Sequence, residues 1–152
     1  MAKSKKSSPA KRAPFAARRK SSKKPKKIAT SIVPWLCLRN GSRAVDFYKS
    51  AFGAKELFRM EDSGSVVARL SIESAEFWLS DESPQHFNFS PESLGGITTR
   101  IILTVADPDS LFARAMKAGA KEVYPMNDEH GWRIGRVVDP FGHHWEIGKP
   151  LS

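Results

Sequence analysis

The side chains with the most chemistry to offer lie near the C-terminus, in His143-His144-Trp145-Glu146. In an extended strand, residues two apart share a face, so His144 points with Glu146 while His143 points with Trp145 and Ile147. The two histidines therefore cannot ligate one ion from the same face. An imidazole titrates near neutrality, so His144, with Glu146 beside it, is a candidate general base or hydrogen-bond partner for a bound molecule; the alternative is a half-exposed strand histidine with no such role. Arg100 is the next candidate. Its guanidinium either grips a ligand carboxylate or phosphate through two parallel hydrogen bonds or closes a salt bridge to Glu146 or another acid. Trp35 and Trp78 offer flat faces on which a planar ligand could stack, whereas Trp132 and Trp145 default to core packing. Cys37, flanked by Leu36 and Leu38, reads as inert packing. The sequence has no Gly-x-Ser-x-Gly, Walker or Gly-x-Gly-x-x-Gly pattern, and Gly95-Gly96 precede a strand-like run, so no phosphate cradle is expected there.

The elements that position these residues come from an internal repeat. Gly53-Ala-Lys-Glu-Leu-Phe58 recurs 66 residues later as Gly119-Ala-Lys-Glu-Val-Tyr124. Each copy follows an amphipathic helix pattern. Ala44, Phe47, Tyr48 and Ala51 line one face of residues 42–52, and Leu111, Phe112, Ala115 and Met116 line one face of residues 108–118. Asp107-Pro108 supplies an N-cap and an N1 proline, and Gly53 and Gly119 sit where a left-handed residue ends a helix. Strand-like runs precede the helices at residues 32–38 and 97–105. Three more follow each glycine, at 56–60, 66–72 and 76–80, then at 121–126, 133–138 and 143–147. Ser63-Gly64 and Asp139-Pro140-Phe141-Gly142 mark tight turns. The pattern predicts an α+β protein of two tandem β-α-β-β-β modules, about 31–81 and 97–149, forming a curved mixed sheet with helices outside and a central cleft.

Charge divides the chain differently. Residues 1–27 hold nine Lys, three Arg and no acid, while the remaining 125 residues carry a net charge of −3. The first segment is too polar to bury a core and reads as a disordered basic tail preceding a domain at 28–152. It is either a solvated tail or a non-specific, salt-sensitive nucleic-acid contact. It lacks the apolar run of a secretory signal. No apolar stretch approaches the roughly 18 residues of a membrane-spanning helix, so no membrane partner is expected. One cysteine among 152 residues cannot staple the fold and fits a reducing, cytoplasmic setting.

Two stretches carry a resemblance to a known family. Arg43-Ala-Val-Asp-Phe-Tyr-Lys-Ser-Ala-Phe-Gly53 is similar to the first helix of the vicinal oxygen chelate superfamily, which includes glyoxalase I, bleomycin-resistance and fosfomycin-resistance proteins and extradiol dioxygenases. Gly135-Arg-Val-Val-Asp-Pro-Phe-Gly-His-His-Trp-Glu-Ile147 is similar to that family's final hairpin. The likeness covers about residues 31–149. It implies a small-molecule cleft, a homodimer, and in many members one divalent metal held by His or Glu on the first and last strands of each module. Glu146 matches the last of those positions. Its counterpart 66 residues earlier is Ser80, the fifth strand offers Arg100, and the first offers Val33, Pro34 or Trp35. One carboxylate does not make a metal site, and a guanidinium repels cations. The expectation is therefore a ligand-binding protein with no cofactor, its ligand contacts drawn from Trp35, Trp78, Arg100 and His144. The alternative is a metal-dependent lyase, isomerase or dioxygenase using Glu146 and His144 with a shifted ligand set.

Overall fold

The computed structural model describes residues 28–152, so the basic segment 1–27 lies outside the described residues. The first module runs β1 (Trp35–Leu38), α1 (Gly41–Phe52), β2 (Lys55–Asp62), β3 (Ser65–Ile72) and β4 (Ala75–Asp81). A 3-10 turn at Pro84–His86 and a short helix, α2 (Pro91–Leu94), lead to the second module. That module repeats the order as β5 (Ile101–Thr104), α3 (Pro108–Ala118), β6 (Lys121–Glu129), β7 (Trp132–Val138) and β8 (His144–Pro150). Each module makes one four-stranded mixed sheet, ordered β1-β4-β3-β2 and β5-β8-β7-β6. Among the described residues no strand pairs across the modules, so the mixed sheet is divided between them rather than continuous. No helix among the described residues is long and apolar enough to cross a membrane.

Local chemistry explains the boundaries. Asp107 caps α3 by accepting the Ser110 N–H at 3.1 Å, with Pro108 at the first helical position. Asn40 caps α1 in the same way through Arg43 N–H. Gly53 (φ 67°) and Gly119 (φ 113°) end the two helices in the left-handed region, as the repeat implied. The two long hairpins turn on equivalent pairs, Ser63-Gly64 and His130-Gly131, with positive φ at all four residues. His130 is thus a turn residue. Both first strands are shorter than the sequence runs suggested. β1 begins at Trp35, where its parallel pairing with β4 opens; Pro34 before it has no N–H to donate, although its carbonyl still accepts the Trp78 N–H at 2.9 Å. β5 begins at Ile101 because β8 offers Trp145 as its first partner. His143 likewise precedes β8 rather than lying within it.

The helices pack on each other and on one face of both sheets. Tyr48 and Phe52 of α1 meet Trp145 of β8 at ring separations of 5.5 and 4.8 Å, and Tyr48 and Trp145 both meet Phe77 of β4. At the centre of this aromatic cluster is the carboxylate of Asp139, only 4% exposed. One oxygen accepts Tyr48 O–H at 2.7 Å and the indole N–H of Trp145 at 3.0 Å. The other accepts the backbone N–H groups of Phe141 and His143, both at 2.9 Å. Burial, with the Asp139 charge beside it, pushes the Tyr48 phenol well above its ordinary value, so it stays a donor. Asp139→Ala would strand four donors, three of them in buried contacts, and should cost at least about 3 kcal/mol, whereas Tyr48→Phe should cost about 1–2 kcal/mol. Urea unfolding of the three proteins checks the order; equal stability of wild type and Asp139→Ala would contradict it.

Candidate functional site

The strand faces that turn away from the helices carry the candidate residues. Register places Trp35, Trp78, Arg69 and Phe58 in one row across all four strands of the first sheet. The next row is Cys37, Ser80, Val67 and Met60. Trp35 stacks on Trp78 with centroids 5.4 Å apart and planes 13° from parallel. Trp78 also meets the Phe58 ring at 5.7 Å and the Arg69 guanidinium at 5.7 Å. The Trp35 indole N–H donates to Ser80 Oγ at 3.0 Å. That hydrogen bond fixes the ring while leaving Trp35 56% exposed. Burial pushes the Cys37 thiol up, with a smaller opposing contribution from a hydrogen bond to Ser80, so it is not a ready thiolate.

The second sheet presents a polar counterpart. Its row reads Ile102, Glu146, Arg136 and Tyr124. Arg100 Nη1 donates to Glu146 Oε1 at 2.5 Å, and Arg136 Nη1 lies 4.0 Å from the same oxygen. His144 has the same strand parity as Glu146, and its Nδ1 is buried without a hydrogen-bond partner among the described residues. Burial, with Arg136 nearby, holds the imidazole below its ordinary value, so it is neutral at pH 7. His143 turns the other way, and its Nε2 lies 2.8 Å from the Cys37 carbonyl, joining the modules.

These residues test the family's metal positions directly. Glu146 is engaged by two guanidiniums, its strand neighbour Ile102 has no donor atom, and Ser80 is occupied by an indole N–H. Val33 and Pro34 offer no ligating side chain. Among the described residues no three His, Cys, Asp or Glu side chains gather as an ion would require. The donor set does not fit a divalent cation at these positions.

A cavity of about 520 Å³ lies where β1 and β5 approach, and Trp35 and Arg100 both line it. Phe89, Pro91 and Leu94 from the connection between modules supply another wall. Trp78 stands behind Trp35, and His144 faces a neighbouring depression with Lys121 and Val138. The structure therefore brings Trp35, Trp78 and Arg100 together and sets His144 aside from them. Arg136, Arg69 and Phe58 are site residues that sequence reasoning missed. Arg136 was accessible: the Asp139–Gly142 turn closes a hairpin that pairs positions 136 and 146.

The connecting wall is held by one carboxylate. Glu82 accepts from Arg39 Nε at 2.7 Å, Ser93 Oγ at 2.6 Å and the Ser90 N–H at 3.0 Å. Arg39 also reaches Glu92 at 2.8 Å. These hydrogen bonds, Ser93 first, lower the Glu82 carboxyl to about 2.

Residues 32–147 match the Glyoxalase/Bleomycin resistance protein/Dioxygenase superfamily, and the chain belongs to it. A Mycobacterium bovis relative, uncharacterized protein Mb0911c, is 40% identical over 130 residues, covering 82% of this chain and 86% of its own. The crystal structure of TioX from Micromonospora sp. ML1 is 30% identical, with a TM-score of 0.65, covering 81% of this chain and all of that one (100%). TnmS3, an antibiotic binding protein from Streptomyces sp. CB03234, shares the fold at 20% identity and a TM-score of 0.58, covering 81% of this chain and 98% of that one.

Glu82 makes the wall acid-sensitive. Its folded value lies below its ordinary 4.5, so its contribution is present above pH 4.5 and is lost as pH falls towards 2. Glu82→Gln should flatten the stability–pH curve across that window; an unchanged slope by thermal melting would contradict the assignment.

Proposed function

We propose that this protein binds a small organic molecule with a planar ring system in the Trp35 cavity, and that it does so without a metal ion. The observation that carries this reading is the exposed, hydrogen-bonded Trp35 ring, stacked on Trp78 and lining a cavity of about 520 Å³. Preorganisation matters here: the ring is already fixed by Ser80 and Trp78, so stacking a ligand on it costs little further side-chain entropy. Membership of a family that includes bleomycin-resistance proteins, and a shared fold with an antibiotic binding protein, support the same reading. Cys37 and His143 also line the cavity, but burial pushes the thiol up and His143 Nε2 is taken up by the Cys37 carbonyl at 2.8 Å, so the reading is of a holder of its ligand. The cytoplasm is its proposed setting, which suits a chain with a single cysteine, Cys37.

We also propose a homodimer. Trp35, Phe58, Met60 and Ile102 leave 44–62% of their surfaces exposed on the two open sheet faces. A second copy laid on these faces would remove that apolar surface from water.

Two measurements follow. Planar aromatic compounds should quench tryptophan fluorescence saturably, and Trp35→Leu should weaken binding roughly tenfold with little loss of stability, because the ring is largely exposed. Unchanged affinity in Trp35→Leu would overturn the assignment of the cavity. Light scattering should give twice the chain mass, and a monomer at micromolar concentration would remove the dimer.

A further inference from the structure

Resting on the ligand-binding reading above, we infer that the ligand is an organic anion: a planar ring system seated on Trp35 with its carboxylate held by Arg100. The Trp35 cavity is asymmetric in charge. Its lining includes Arg100 and contains no Asp or Glu. Apolar side chains of Ile97, Ile102, Phe89 and Leu94 share its walls with the uncharged polar Thr98 and Thr99 and with His143. A cationic ligand would find no counter-charge there, and Glu146, only 18% exposed at its side chain, is already engaged by two guanidiniums.

Arg100 is equipped for a second acceptor. Its side chain is 53% exposed, and among the described residues its hydrogen bonding runs through Nη1 alone, to Glu146. The Nε and Nη2 donors remain on the other edge of the planar fork, the edge that matches the two oxygens of a carboxylate. The Glu146 bond then has a positioning role: it fixes one corner of the guanidinium and aims the rest. Arg136, 4.0 Å from the same carboxylate, keeps one positive charge in excess within the trio of Arg100, Arg136 and Glu146. Its Nε is buried with no partner among the described residues. Glu129, the remaining carboxylate near this group, lines with Arg100, Arg136 and Glu146 an adjoining depression of about 300 Å³, where it accepts from Tyr124 O–H at 3.2 Å. The carboxylate that matches a family ligand position is thus held by a fixed cation of the chain itself.

The test uses three probes of one shape and different charge, naphthoate, naphthamide and naphthylmethylammonium, titrated into the full chain by calorimetry. Naphthoate should bind at least roughly tenfold more tightly than naphthamide, the scale of one charge-assisted bidentate contact, and the ammonium should bind most weakly. Arg100→Gln should erase the gap between naphthoate and naphthamide, with naphthoate losing most of its affinity. Trp35→Leu should weaken naphthoate and naphthamide together. Circular dichroism melts confirm that both variants fold. If naphthamide or the ammonium binds as well as naphthoate, or if the gap survives in Arg100→Gln, the anion inference falls while the cavity reading stands. If none of the three binds the folded wild-type chain, both fall.

Discussion

The buried carboxylate of Asp139 is the constraint on which the rest of the structure hangs. An anion this deeply enclosed is tolerable only when every lone pair is answered, and here two side-chain donors and two backbone N–H groups answer it. The donors come from separate parts of the chain: Tyr48 from the helix of the first module, Trp145 from the last strand, and the backbone groups from the turn between β7 and β8. One side chain thereby clamps the modules together, closes the final hairpin and sets the register of β8. That register decides that Trp145 faces the core and that Glu146 faces outward to Arg100 and Arg136. A slip of one residue would exchange those faces.

From this frame the two open sheet faces acquire different characters. The first sheet carries a row of stacked aromatic rings with Arg69 among them, and the second carries a carboxylate bracketed by guanidiniums. The repeat explains the shared geometry, and single substitutions within it explain the divergence. Position 80 holds a serine and position 146 a glutamate, so equivalent places on equivalent strands support an indole hydrogen bond in one module and an ion pair in the other. Neither arrangement leaves donor atoms free to surround a divalent cation. Both leave planar groups, an indole and a guanidinium, turned toward one cavity.

Much of this was legible in the sequence, for identifiable reasons. The helices carried their periodicity, caps and terminating glycines in plain view, and the 66-residue repeat transferred each assignment from one module to the other. The Arg100–Glu146 pairing was one of two alternatives left open by charge alone. Strand beginnings were less legible, because the extent of β1 and β5 is set by parallel pairing with β4 and β8, and the partner residue lies some 40 positions away. Arg69 was hidden for a related reason. It meets Trp78 through a hairpin turning on Glu73 and Ser74, which carries no Gly or Pro to announce it. Asp139 was read as a turn residue, and its role as a buried hub depends on Tyr48, 91 positions earlier.

The central claim is that side chains of the protein have replaced a bound cation in this cleft. Elemental analysis of the purified protein, after dialysis against each of zinc, manganese, iron and nickel, tests it most directly. The account predicts less than a tenth of an equivalent of any divalent metal per chain. One equivalent retained through gel filtration, and lost in Glu146→Gln, would contradict it.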